Sequence, residues 1–223
     1  MSSVGAIIFD FDGVLVESEF HGNRLLAELL TDFGHPTSVE DAVNQFVGLS
    51  GPEFFAAIER RIGGPLPPEF QERRRAQTAS VLKEGLRAVV GAIDFVRSLP
   101  PDLPRAIASG STSRWIRTHL DHLGLADAFG DHLYSGREHV ERGKPAPDIY
   151  IYAADQLGVD IARSAIIEDS EVGATGALAS GAMVVGLAAG SHCFDGHADR
   201  LRALGVEHVA DSFDDVRRLL QLD

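Results

Sequence analysis

Residues 7–17 read IIFDFDGVLVE. Val4, Ala6, Ile7, Ile8 and Phe9 make a short apolar run, the pattern of a buried strand, and the run drives directly into Asp10. Asp12 follows two residues later, and Gly13 then lets the chain turn. Side chains at i and i+2 on extended backbone point to the same side, so the two carboxylates converge just beyond the strand end. Two anions that close repel each other and favour a cation between them. Oxygen donors with no Cys/His cluster beside them suit a hard divalent ion, Mg²⁺, better than zinc. Taken alone, the stretch is also compatible with an ordinary Asp-x-Asp-Gly turn chosen for local hydrogen bonding.

The chain of 223 residues is long enough for one large core, or for one core plus a smaller appended domain. A formal net charge of -13 argues against nucleic acid and against an anionic membrane surface. A phosphorylated substrate needs the metal and a few local cations to reverse that field within one pocket. Cys193 stands alone, which excludes an intrachain disulfide and favours a reducing cytosol; its Gly/Ser/His-containing loop marks it as a bystander. The N-terminal residues lack the basic and long apolar segments of a signal peptide, and no run of about 18 apolar residues occurs, so a cytoplasmic protein is expected.

After the first strand the period changes. Phe20, Leu25, Leu26, Leu29, Leu30 and Phe33 recur at helical spacing and stop at Gly34 with Pro36 beyond. Further helices are predicted over 54–62, opened by Pro52 and closed by Gly63-Gly64, and over 68–84. From Gly91 strands and helices alternate: helix 92–99, strand 105–109, helix 112–123, strand 132–135, helix 148–157, strand 164–168, helix 172–180 and strand 183–187. Alternation of this kind builds a parallel sheet with helices on both faces. The predicted fold is therefore α/β, a Rossmann-like parallel-sheet core formed by residues 1–16 and 86–223. An all-helical segment, 17–85, is inserted after its first strand. Ligands of such sheets bind beyond the carboxyl ends of the strands, so residues ending different strands should share one site.

That rule selects the candidates. Ser109, Gly110 and Ser111 lie between a strand end and a helix start, where backbone N–H groups and the helix dipole favour an anion; Ser111 can equally serve as a helix N-cap. Lys144, in RGKPAPDIY, is bracketed by residues that restrict the loop and suits a fixed cation. Glu168 and Asp169 end the fourth strand and add two carboxylates, either to cap the next helix or to complete an oxygen-rich metal shell with Asp10 and Asp12.

These four signals, in this order, resemble the haloacid dehalogenase superfamily in its phosphatase branch with a helical cap. DFDGVLVES is similar to the first motif, IASGS to the second, GKPAPDIY to the third and IEDS to the fourth. Within the family the resemblance is to the beta-phosphoglucomutase-like subgroup, which includes sugar-phosphate phosphatases such as 6-phosphogluconate phosphatase. The resemblance implies Asp10 as nucleophile forming an aspartyl-phosphate, with Asp12 as general acid and then general base. It implies Ser109 and Lys144 as catalytic partners, with Gly110 and Ser111 binding phosphate. Mg²⁺ would be held by Asp10, the Asp12 carbonyl and Asp169, with Glu168 either a ligand or standing just behind one. Dehalogenases of the superfamily lack the second aspartate, so Asp12 favours phosphoryl transfer. Glu17, Ser18, His21, Arg24 and Ser50 are the cap-side candidates for reading the leaving group. A mutase needs a cation for a distal phosphate, but VGLSGPEF carries Gly51 where that arginine is expected, and Gly22 takes the place of a cap histidine. A mutase and a non-catalytic Mg²⁺/phosphate-binding interaction protein are the alternatives to a phosphatase. The expected partner is a small phosphorylated metabolite, and the chain is expected to act as a monomer or homodimer.

Overall fold

The apolar run forms β1 (Ala6–Phe9), in which all four residues are buried. In the computed structural model, which describes residues 4–47, 49 and 51–222, the chain divides into two compact units. One comprises residues 1–17 and 87–223, the other residues 18–86. Among the described residues the regular elements of the second unit are all helices, α1 (Ser18–Asp32), α2 (Val39–Phe46), α3 (Gly51–Ile62) and α4 (Pro68–Glu84). Leu26, Leu29, Leu30, Ala42, Phe46, Ile58 and Phe70 pack together as its own core. Helix α2 is absent from the sequence reading above, although Ser38 and Asp41 form a complete capping box at its start.

The first unit continues with α5 (Ala92–Ser98), β2 (Arg105–Ser109), α6 (Ser113–Leu123), the single turn α7 (Ala126–Phe129) and β3 (Leu133–Ser135). Then come α8 (Asp148–Leu157), β4 (Ser164–Glu168), α9 (Glu171–Ser180), β5 (Met183–Leu187), α10 (His197–Ala203), β6 (His208–Ala210) and α11 (Phe213–Leu219). All six strands are parallel, in the order β3-β2-β1-β4-β5-β6. The elements after Leu187, α10, β6 and α11, are absent from the sequence reading above. Among the described residues no helix is long and apolar enough to cross a membrane.

Both faces of β1 are covered, which is why its residues form an unbroken apolar run instead of alternating. Ile8 joins Ile149, Tyr150, Ala153, Ala174 and Ala177 of α8 and α9 in one cluster. Phe9 makes edge-to-face contacts with Phe95 of α5 and Phe129 of α7. Chain order reverses between β1 and β4, since β2 lies to one side of β1 and β4 to the other. A crevice beyond the carboxyl ends of those two strands is where a parallel sheet of this kind receives a ligand.

Candidate active site

Asp10 follows the last residue of β1 and keeps strand geometry, its N–H bonding the carbonyl of Ile167 on β4 at 2.9 Å. Its carboxylate therefore sits where the strand order reverses. Lys144 reaches it from the loop before α8, with Nζ 2.5 Å from Asp10 Oδ1 and 2.7 Å from Glu168 Oε1. All three groups are almost fully shielded from solvent. Burial pushes the Asp10 carboxyl well above its ordinary value; Lys144 opposes this, while Glu168, Asp169 and Asp12 reinforce it. Burial alone would lower the Lys144 ammonium, but Asp10 and Glu168 outweigh it and hold the group well above its usual value.

The two acids ending β4 are used differently. Glu168 Oε1 accepts from Lys144 and from the Tyr150 hydroxyl at 3.0 Å, and Oε2 accepts from the Ser170 N–H at 2.8 Å and the Ser170 hydroxyl at 3.0 Å. These four bonds take up the acceptor directions of the carboxylate. Asp169 is equally buried, yet its Oδ1 has no hydrogen-bond partner. Its carboxyl is also raised well above the ordinary value, first by burial and then by the neighbouring Glu168 charge. Carboxylate oxygens of Asp10, Glu168 and Asp169 lie within 4.8 Å of one another. Three buried carboxylates facing one ammonium leave local negative charge uncompensated, and an orphaned oxygen in such a hard donor set fits a divalent cation. Two glycines make room for these acids. A Cβ on Gly13, whose φ is +81°, would lie 2.1 Å from Asp169 Oδ2, and one on Gly173 would lie 1.6 Å from Glu168 Oε1.

Asp12 is held from three directions. Its Oδ2 accepts from the Ser111 hydroxyl at 2.6 Å and the Ser109 hydroxyl at 3.3 Å, and its Oδ1 accepts from the indole N–H of Trp115 at 3.0 Å. The α6 terminus positions these donors. Thr112 caps the helix by accepting from the Trp115 N–H, which leaves Ser111 available to Asp12, so the N-cap is not Ser111. Ser109 Oγ in turn accepts from the Ser111 N–H at 2.9 Å. Gly110 is exposed in the same turn. Trp115 packs on His119 one turn along, with ring centroids 4.3 Å apart.

Asp12, Ser109 and Ser111 thus form one hydrogen-bonded group and Asp10, Lys144, Glu168 and Asp169 another, and Asp12 lies near enough for its charge to raise the carboxyls of both Asp10 and Asp169. Glu17, read from the sequence as a substrate contact, is engaged elsewhere. Its carboxylate accepts from the Ser191 N–H at 3.0 Å and the Ser191 hydroxyl at 3.0 Å. Ser18, His21 and Arg24 belong to α1; Arg24 pairs with Glu28 at 2.5 Å, and burial lowers the His21 imidazole. Ser50 lies outside the described residues. Trp115, Tyr150, His192 and His197 escaped the sequence reading. Trp115 and Tyr150 sit at ordinary apolar helix positions, and nothing in their spacing separates a hydrogen-bond donor from a packing residue.

A model of the haloacid dehalogenase-like hydrolase family matches residues 4–181. The chain is 26% identical over 193 residues to 6-phosphogluconate phosphatase of Escherichia coli (strain K12), covering 86% of each chain. Its structure is similar to that of a haloacid dehalogenase-like protein from Agrobacterium tumefaciens str. C58, with TM-score 0.88, 33% identity and 98% of both chains covered. It is also similar to a HAD family hydrolase from Deinococcus radiodurans R1 holding phosphate and sodium, with TM-score 0.85, 31% identity, and 99% of this chain and 96% of that one covered. With the matched segment running from the first strand through the carboxylates that end β4, the chain belongs to the haloacid dehalogenase-like hydrolase family.

Proposed function

We propose that this chain is a Mg²⁺-dependent phosphatase of small phosphorylated metabolites, sugar phosphates foremost, acting in the cytoplasm through an aspartyl-phosphate on Asp10. The observation that carries the reading is the buried Asp10 carboxylate, bonded to Lys144 and with an oxygen within 4.8 Å of one on Asp169, whose Oδ1 has no hydrogen-bond partner. Asp10 attacks phosphorus as the ester P–O bond breaks, and Asp12 protonates the departing oxygen. Asp12 then takes a proton from the water that attacks the acyl-phosphate, returning Asp10 and releasing inorganic phosphate. Ser109, Ser111 and the Gly110 turn hold phosphoryl oxygens, while Lys144 offsets charge on both the phosphoryl group and Asp10. Asp10, the Asp12 carbonyl and Asp169 would hold Mg²⁺, which would supply neutralisation of charge on the transferring group. Glu168, whose acceptor directions are filled, holds Lys144 in place.

The helical unit, residues 18–86, is proposed as the cap that reads the leaving group, through residues such as Ser18, His21 and Arg24. Gly51 and Gly22 stand where a mutase needs its cation and its histidine, which favours hydrolysis over isomerisation. The test is release of inorganic phosphate from a panel of sugar phosphates, with Mg²⁺ and with EDTA. Metal-dependent release supports the reading. Interconversion of hexose phosphates without release would replace it with a mutase, and metal binding without turnover with a binding module.

A further inference from the structure

His192 and Cys193 of the loop after β5 and His197 at the start of α10 bring donor atoms within 4.8 Å of one another. Such a grouping invites a reading as a soft-metal site, but both imidazoles are directed at one residue of the candidate active site. His192 Nε2 lies 2.8 Å from Asp169 Oδ2, with each side chain 1% exposed. His197 Nε2 lies 2.8 Å from the backbone oxygen of Asp169. The Arg200 guanidinium, which can only donate, lies 3.4 Å from His197 Nδ1. Nδ1 is therefore the acceptor, and Nε2 carries the proton that it donates to the Asp169 carbonyl. Burial pushes the Cys193 thiol up to about 12, so it offers no thiolate near neutrality.

The chain has made room for the His192 ring. A Cβ on Gly190 would come within 2.6 Å of its Nδ1 and Cε1, and one on Gly13 within 3.0 Å of its Cε1. The ring occupies a slot between the first-strand turn and its own loop. Next to it, Ser191 is tied to Glu17 through its N–H and its hydroxyl. His192 faces Oδ2 of Asp169 and leaves Oδ1 as the oxygen without a partner.

We propose that His192 is a positioning residue for Asp169, turning Oδ1 toward the cation site, and that Glu17 holds His192 in register through Ser191. The proposal rests on the reading of Asp169 as a metal ligand. Groups that orient metal-binding carboxylates contribute about 10- to 100-fold in metal affinity. The test is Mn²⁺ affinity, measured by electron paramagnetic resonance on the full chain, alongside the melting temperature and KM for p-nitrophenyl phosphate. His192→Leu is expected to weaken Mn²⁺ binding about 10- to 100-fold with KM within about threefold of wild type. His192→Gln, whose amide N–H reaches as far as Nε2, restores most of the affinity, and the shorter His192→Asn does not. Glu17→Gln shifts affinity in the same direction by a smaller factor. Wild-type affinity in a folded His192→Leu protein overturns the proposal; should that variant not fold, equal wild-type affinity in the Gln and Asn variants overturns it. Asp169→Asn separates the two levels. Unchanged Mn²⁺ affinity there rejects the metal reading itself, whereas loss there with none at His192 rejects only the positioning role.

Discussion

Asp10 and Lys144 illustrate how one buried ion pair serves both chemistry and folding. Asp10→Asn removes the nucleophile and one of three adjacent buried carboxylates. Turnover is expected to fall by about 10⁴-fold or more, while the melting temperature holds or rises because burial, reinforced by Glu168 and Asp169, penalises the Asp10 charge more than Lys144 favours it; phosphate release and thermal unfolding measure the two effects. Lys144→Met acts in the opposite sense on stability. It strands Asp10 and Glu168 without their shared cation, and removing one partner of a buried pair costs about 3–5 kcal/mol. Urea unfolding of the metal-free protein checks this. Asp10, Asp12 and Asp169 were legible as candidates because strand ends are readable from apolar runs, and Lys144 because glycine and prolines restrict its loop. The division of labour between Glu168 and Asp169 was not, since it depends on Tyr150 and Ser170 filling one carboxylate and leaving an oxygen of the other bare.

At the scale of elements, α6 and α9 are each fitted to one acid. Helix α6 directs the Trp115 indole at Asp12. Trp115→Phe keeps an aromatic ring on His119 but deletes the donor, and a hydrogen bond to a charged group contributes about 1.5–3 kcal/mol. A fall in kcat of at least about 10-fold, with the fold intact by circular dichroism, is the expected result. Helix α9 approaches β4 so closely that Gly173 has no room for a methyl group beside Glu168. Gly173→Ala is expected to displace Glu168 from Lys144 and to destabilise the chain by about 1–3 kcal/mol, the ordinary cost of overpacking, despite alanine's better helix propensity. A lowered melting temperature confirms the constraint, and a raised one refutes it. The sequence shows the glycine in EVGATG as a mild helix weakness; only the packed structure shows what it admits.

For the molecule as a whole, proton linkage connects the acid cluster to stability. Asp10 and Asp169 are held well above the ordinary carboxylate value of 3.8, so the metal-free folded state binds protons more tightly there than the unfolded chain does. Their contribution is present below that ordinary value and is lost as pH rises through the raised values. Exposed Asp41 and half-buried Asp215, held low by the hydroxyls of Ser38 and Ser212, act oppositely, losing their contribution as pH falls. Mg²⁺ is therefore expected to raise the melting temperature more at about pH 8 than at about pH 5. Thermal scans in EDTA and in Mg²⁺ at both pH values measure this, and an equal Mg²⁺ increment at the two would contradict it. By itself the sequence determined the alternation of strands and helices, the helical segment after β1, and which acids end up at strand termini. Those features follow from local periodicity and from the fixed rule that parallel sheets present their carboxyl ends to ligands. Only the tertiary structure decided that Trp115 serves Asp12, that Glu17 anchors Ser191 and that His192 faces Asp169. The first two join residues 103 and 174 positions apart and the third joins residues of two different loops, and no local pattern records which side chains packing brings within hydrogen-bonding distance.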